Sequence, residues 1–161
     1  MRKPFLFLLL SCGLLGACRF NDPETRSGID WLQGEWEEEK NPAAETLISY
    51  AQSRYRFACD SVFVTMSMNN RADTSSKNCS EKGSWKEYAS GNYYLIGDTL
   101  RIKGYFTQAD FTLKNGGCHR TGVFEENLLL QGRSPDSLHT VNLQTAIEAV
   151  LLRRSNKSCG E

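Results

Sequence analysis

Val62, Val64, Met66 and Met68 alternate with Phe63, Thr65 and Ser67, and Leu100, Ile102, Gly104 and Phe106 alternate in the same way with Arg101, Lys103 and Tyr105. A period of two puts one set on a buried face and the other outside, which a strand satisfies and a helix does not. Turn signals fall between such runs: Cys59-Asp60-Ser61, Ser90-Gly91-Asn92, Gly97-Asp98, Asn115-Gly116-Gly117, Glu125-Glu126-Asn127 and Ser134-Pro135-Asp136. Their spacing of about ten residues predicts successive hairpins, hence a mostly β, antiparallel meander of about 8–10 short strands closed into a sandwich or barrel. Two stretches depart from the alternation. Ala43 to Gln52 follows Asn41-Pro42 and carries Leu47, Ile48 and Ala51, so a short helix or irregular lid is expected after the first strand. Asn69 to Lys82 is polar, contains Cys79 and reads as a long loop stapled by a disulfide. The chain has no repeat of the solenoid or propeller kind.

The amino terminus has a different grammar. Arg2 and Lys3 precede an apolar run, Phe5 to Leu10 with Leu14 and Leu15, that narrows to Gly16-Ala17 and stops at Cys18. This is the order of a secretory signal, and the run is shorter than the roughly 20 apolar residues of a membrane-crossing helix. Leu15-Gly16-Ala17-Cys18 resembles the lipobox of bacterial lipoproteins. The resemblance implies cleavage before Cys18, a diacylglycerol on its thiol and a further acyl chain on its amine. Two or three chains hold a protein durably where one holds it marginally. The expected organisation is a signal peptide over 1–17, a lipidated tether over 18–28 without apolar periodicity, and one domain over 29–161. Arg19 and Phe20 carry no obvious retention signal, so the expected location is the bacterial outer membrane with the domain in the periplasm.

Removal of residues 1–17 from a chain of 161 leaves 144, enough for one domain with a real core. The leader takes two of the 19 basic side chains, leaving 17 against 19 acidic ones. That balance, without a basic stripe, gives no general attraction to phosphate backbones and argues against nucleic acid as a partner. Once Cys12 leaves with the signal and Cys18 carries lipid, Cys59, Cys79, Cys118 and Cys159 remain, an even number for an oxidising compartment. Two disulfides are expected. Three pairings are open, and Cys59 with Cys79 and Cys118 with Cys159 is favoured because each closes a self-contained part of the chain. No two of these cysteines have a metal-knuckle spacing, which disfavours a four-thiolate metal site.

Trp31-Leu32-Gln33 leads into Gly34-Glu35-Trp36 at the expected first strand, and this resembles the Gly-x-Trp opening of lipocalin-like barrels. The resemblance implies a tryptophan, Trp36, closing the narrow barrel end against a basic residue of the last strand, here Arg153 or Arg154, stacked on the indole. The lipobox, QGEW, FACDSVFV, GSWKEYASGNYYLIGDTLRIKG and GGCHRTG together look like small lipocalin-like lipoproteins of Bacteroidetes-type bacteria, over most of residues 29 to 159. That family has no established activity, and some members carry a fumarate hydratase label. This chain lacks the fumarase Gly-Ser-Ser-x-Met-Pro signature, and disulfides explain its cysteines better than an iron–sulfur cluster does.

Residues with reactive chemistry are few. His119 and His139 are the only histidines, no His-Glu-x-x-His, nucleophile elbow or phosphate loop occurs, and both imidazoles read as surface or satisfied groups. No metal or cofactor is expected. Carboxylates such as Glu35 or Glu87 would pair across strands by chance alone. One regularity stands out: Asp60-Ser61-Val62, Asp98-Thr99-Leu100 and Asp136-Ser137-Leu138 each lead into a strand. Turn chemistry explains the aspartate and the hydroxyl, while the resemblance implies O-glycosylation at Ser61, Thr99 and Ser137. Tyr88, Tyr93, Tyr94, Tyr105 and Phe106, with Phe111, crowd the middle strands. The function expected is an envelope-anchored binding module whose aromatic-lined mouth or interior holds an apolar small molecule. The alternatives are a structural or inhibitory lipoprotein that meets an envelope protein partner through its loops and, lower, an enzyme.

Overall fold

The computed structural model describes residues 28–72, 79, 82–157 and 159. The expected signal peptide over 1–17, Cys18 and the expected tether up to residue 27 lie outside the described residues. From Gly34 onward the chain forms eight antiparallel strands, each paired with the next, and the last pairs with the first to close a barrel. They are β1 (Gly34–Glu38), β2 (Ser49–Ala58), β3 (Ser61–Asn70), β4 (Ser84–Ile96), β5 (Thr99–Thr107), β6 (Val123–Arg133), β7 (Ser137–Asn142) and β8 (Glu148–Ser155). This is a lipocalin-like β-barrel, and closure removes sheet edges everywhere except where the short β1 leaves the starts of β2 and β8 without a strand between them.

Alternation decides which side chains fill it. Val62, Val64 and Met66 of β3 are buried while their neighbours are half exposed, and Leu100, Ile102 and Phe106 of β5 repeat the pattern. Trp36, Phe57, Leu138 and Leu151 join the core from β1, β2, β7 and β8, as do Ala89 and Tyr93 from β4 and Phe124 and Leu128 from β6. Burying each such side chain is worth about 1.5–3 kcal/mol. Curvature has its own device. Gly91 of β4 and Gly104 of β5 sit directly opposite one another, and a Cβ on Gly104 would lie 2.0 Å from the Ser90 carbonyl oxygen. Two bare backbones in register let these long strands coil tightly at the barrel corner.

Up-and-down topology gathers alternate turns at opposite poles. The β2–β3, β4–β5 and β6–β7 turns share one pole with the start of β1 and the end of β8. All three Asp-hydroxyl-apolar triplets are there. The Asp60 carbonyl accepts from the Tyr93 N–H, that of Asp98 from Leu130 and that of Asp136 from Arg153, so each aspartate extends the ladder toward the next strand by one bond. The apolar third residue, Val62, Leu100 or Leu138, then turns inward.

The short helix expected after the first strand is a 3-10 turn, Pro42–Thr46, capped by the Asn41 side chain, and it is shorter than Ala43 to Gln52 because β2 already begins at Ser49. Two expected turns need correction, since Ser90-Gly91-Asn92 lies inside β4 and Glu125-Glu126-Asn127 inside β6. Leu47 and Ile48 are exposed and supply no helical apolar face. The polar stretch from Asn69 is the long connection between β3, which runs to Asn70, and β4, which starts at Ser84, and a disulfide from Cys79 holds it. The disulfides are Cys59–Cys159 and Cys79–Cys118, with Cα separations of 4.7 and 5.2 Å. Self-contained loops lose to barrel geometry: Cys59 and Cys159 meet at the pole where the barrel closes, whereas Cys79 and Cys118 lie in two loops at the other.

Candidate ligand-binding cleft

The pole that gathers the three aspartate turns is closed by interlocking polar groups. The Arg153 guanidinium lies 4.0 Å over the Trp36 ring and donates to the carbonyls of Gln33, Trp31 and Pro135. The Trp36 indole N–H donates to the Leu32 carbonyl, holding the 3-10 turn Asp30–Leu32 across the barrel end. Arg154, one residue on, points outward to Glu37. Gly34 has φ +107°, and a Cβ there would come within 2.1 Å of the Ser155 carbonyl oxygen, so glycine alone lets β1 start this close to the end of β8. Gln33, buried, donates through Nε2 to the Cys59 carbonyl and the Tyr93 hydroxyl, and accepts the Cys59 N–H. Nothing in the residue pattern singled out Gln33; its position just before Gly-x-Trp is the signal.

The opposite pole is open on one side because β1 is short. It leaves β2 after Glu37 pairs with Arg54, while staying with β8 to Glu38 and beyond through a bond from the Glu39 N–H to the Val150 carbonyl. The Ser53 N–H, which would otherwise meet a β1 carbonyl, donates to Glu38 Oε2 at 2.9 Å, and Gln52 Nε2 donates to the Glu38 carbonyl. Beyond this point the wall between β2 and β8 is spanned only by residues 39–48. The result is a lateral cleft of about 700 Å³, open to solvent. Interior residues Ser49, Ala51, Thr140 and Ala149 and exterior ones Gln52, His139 and Val150 both line it, as expected of a breach in the wall. Pro42, Ala44, Leu47 and Ile147 give it an apolar lip, and Glu38, Glu39, Lys40 and Glu148 place charge along it.

Deeper in, the barrel interior is acidic. Glu126 of β6 accepts from the Tyr55 hydroxyl at 3.1 Å and from Asn142 Nδ2 at 3.0 Å. Burial, with the nearby charge of Glu38, holds the Glu126 carboxyl above its ordinary acidity range, against the hydrogen bonds that favour its anion. Burial likewise raises Glu38, against the Ser53 hydrogen bonds, and burial with the charge of Glu126 pushes the Tyr55 phenol well above its usual value. Glu87 behaves differently. Burial works to raise it, yet Arg120, bound through its N–H, its Nε and its terminal nitrogen, holds it below the usual range. Arg120 comes from the loop between β5 and β6 and also reaches the sulfurs of Met66 and Met68, plugging the barrel beside the cleft. The Cys79–Cys118 bond fixes this loop, and His119 stacks on Trp85 at 4.3 Å with a ring nitrogen against the Cys79 carbonyl.

The aromatic residues expected to line a ligand do not border this cleft. Tyr93 and Phe106 are buried, the first with its hydroxyl on the Cys59 carbonyl and the second edge-on to Phe124. Tyr94 and Tyr105 are exposed on the outer face. Tyr88 packs edge-on to Phe111, which also meets Phe63, so these rings clamp the loop after β5 to the outer wall. Ser61, Thr99 and Ser137 stand half-buried at the heads of β3, β5 and β7, with the Ser61 hydroxyl on Asp60 Oδ1 and that of Ser137 against Ser134. Of the histidines, His139 borders the cleft and is exposed. Among the described residues no group of three or more His, Cys, Asp or Glu is placed to hold a metal, and no helix is long and apolar enough to cross a membrane.

Tyr55, Glu126 and Asn142 therefore form one hydrogen-bonded polar row inside the barrel, within reach of the charge of Glu38. It offers a ligand negative charge and oriented hydrogen bonds; two carboxyls held above their ordinary range are also the material of general acid–base chemistry. Glu35, weighed with Glu87 for such a role, sits in β1 paired to β2 and β8 at the closed pole. No protein-family model and no curated protein matches this chain.

Proposed function

We propose that this chain is an envelope-anchored lipoprotein whose lipocalin-like barrel binds a small molecule in the lateral cleft. The observation that carries the reading is the breach between β1 and β2: a cleft of about 700 Å³ in an otherwise packed barrel. Small-molecule sites span about 300–1,000 Å³ and combine an apolar surface with a few placed polar groups, which is the composition of the lip and the interior row. A barrel that is purely structural gains nothing from ending its first strand five residues in and leaving a wall unpaired. The Leu15-Gly16-Ala17-Cys18 pattern supports acylation at Cys18, an outer-membrane position and a periplasmic domain.

The test is native mass spectrometry of the full-length chain extracted from its own membranes, beside an Ala51→Trp variant that fills the cleft. A copurifying small molecule that disappears in the variant is the expected result; no bound mass, together with no stabilisation by any fraction of an envelope extract, overturns the reading. The intact mass also reads the anchor, as acyl chains on Cys18 lost in Cys18→Ser, and shows any glycan on Ser61, Thr99 or Ser137.

A second reading, a lipoprotein that engages an envelope protein, is favoured by one observation. Leu47, Ile48, Leu113, Leu143 and Ile147 are all more than 45% exposed in loops at the open pole. A crosslink from this rim to a protein partner, with the cleft empty, would favour it over the first.

A further inference from the structure

We propose that the cleft selects a cationic amphiphile, an organic amine whose charged head reaches Glu38 and Glu126 and whose apolar body lies on the lip formed by Pro42, Ala44, Leu47 and Ile147. The inference rests on the reading of the cleft as a binding site and names the chemical class of what enters it; it replaces the wholly apolar ligand expected from the aromatic residues.

The first observation is a contrast in counterions. Glu37 is shared by Arg54 and Arg154, Glu87 is held by Arg120, and Glu125 pairs with Lys103. Glu38 and Glu126 form no such ion pair among the described residues; their oxygens receive only a backbone N–H, a phenol and an amide. A carboxylate drawn out of water without a counterion carries a desolvation cost that a paired one largely recovers. Glu126 feels the charge of Glu38, and Arg120, already bound to Glu87, is the cation whose field also reaches Glu126 without bonding it.

The second observation is independent of the first and concerns the cleft itself. It opens directly onto Glu38, its charged lining among the described residues is Glu38, Glu39 and Glu148 against Lys40, and its outer lip is apolar. Negative charge at depth and hydrocarbon at the mouth match a molecule that is positive at one end and apolar along the rest. The donors on Glu126 leave lone pairs on both of its oxygens, and an ammonium carries three hydrogens with which to meet them and Glu38. A neutral ligand would fill the lip and leave both carboxylates unpaired. An anion would add a third like charge.

The experiment compares three probes with one apolar body, hexylamine, hexanol and hexanoate, by titration calorimetry on the full-length chain and on Glu38→Gln and Glu126→Gln. Glutamine keeps the acceptor oxygen and the volume, and thermal melts of each variant check that it is folded. Charge-assisted contacts of this kind are worth about 1.5–3 kcal/mol, so hexylamine is expected to bind at least about tenfold more tightly than hexanol, and hexanoate not to saturate. Each substitution is expected to weaken hexylamine about tenfold and leave hexanol unchanged. Equal affinity for hexylamine and hexanol, or a folded Glu38→Gln that binds hexylamine as before, overturns the charge selection while the cleft stands. No binding of any of the three overturns both.

Discussion

Arg153 does at one position what a barrel otherwise needs several residues to do: it covers the Trp36 ring and satisfies three carbonyls from two separate segments. Replacing it with alanine strands those acceptors and uncovers the indole. A loss of about 2–3 kcal/mol in urea unfolding is expected, and Arg153→Lys should recover only part of it, because an ammonium cannot hold three divergent acceptors and stack flat at once. A basic residue late in the chain was legible from Gly34-Glu35-Trp36, but two neighbouring arginines were equal candidates. The choice depends on a register shift between Glu35 and Trp36 in the β1–β8 pairing, which turns Arg153 inward and Arg154 toward Glu37. Such a bulge leaves no mark in composition.

The carboxyls divide the pH response in two. Glu37 and Glu87, held below their ordinary range despite burial, contribute stability that is present above about pH 4.3 and lost as pH falls through their folded values. Glu38 and Glu126, raised by burial, do the reverse: their contribution is present below about pH 4.3 and lost as pH rises through the raised values. Glu126→Gln should therefore raise the urea midpoint at neutral pH and flatten the fall in stability between the acid range and neutrality. A midpoint lowered at every pH would contradict this. Arg120→Ala should act oppositely, removing the partner of a buried Glu87; since Arg120 is itself half exposed, a cost of about 1–3 kcal/mol is expected, smaller below pH 4, by the same unfolding series.

At the scale of elements, the glycine pair and the disulfides make separate claims. Gly104→Ala places a methyl against the Ser90 backbone, and neither strand has a flexible side chain to yield, so a loss of about 2–3 kcal/mol is expected in chemical denaturation. Peptide mapping without reductant should recover Cys59 joined to Cys159 and Cys79 joined to Cys118. Closing a loop of 100 residues, the Cys59–Cys159 bond restricts the unfolded chain by about 4.7 kcal/mol in the chain-entropy model, and its double serine variant should lose about 2–5 kcal/mol in the same denaturation. Alternation made β3 and β5 readable almost residue by residue, because a buried face on one side of a wall imposes strict periodicity. The pairing of cysteines was not readable, because it follows from which turns share a pole. The short helix expected after β1 stays a single 3-10 turn for a local reason: Asn41-Pro42 starts it, and its apolar successors Leu47 and Ile48 lie exposed rather than on a helical stripe.

For the whole molecule, the strand alternation and the turn signals at Asp60, Asp98 and Asp136 pointed to the meander, while Ser90-Gly91-Asn92 and Glu125-Glu126-Asn127 lie inside β4 and β6, and nothing pointed to the cleft. Its cause is a difference in length between β1 and its neighbours, and its walls mix residues of both parities, so no face pattern announces it. Glu38 hid in Glu37-Glu38-Glu39, which reads as a solvated strand end, and Glu126 hid in an expected turn that is in fact the middle of β6. The aromatic residues misled for the converse reason: in a small barrel they are needed to fill the core and to fasten a loop outside it.

Gly28 lies against the Cys59 backbone, and Cys59 is bonded to Cys159, so the first described residue and the last leave from the same pole. The open pole with its cleft is therefore the end of the barrel farthest from both, so a label or fusion joined just before Gly28 is expected to leave the cleft unobstructed.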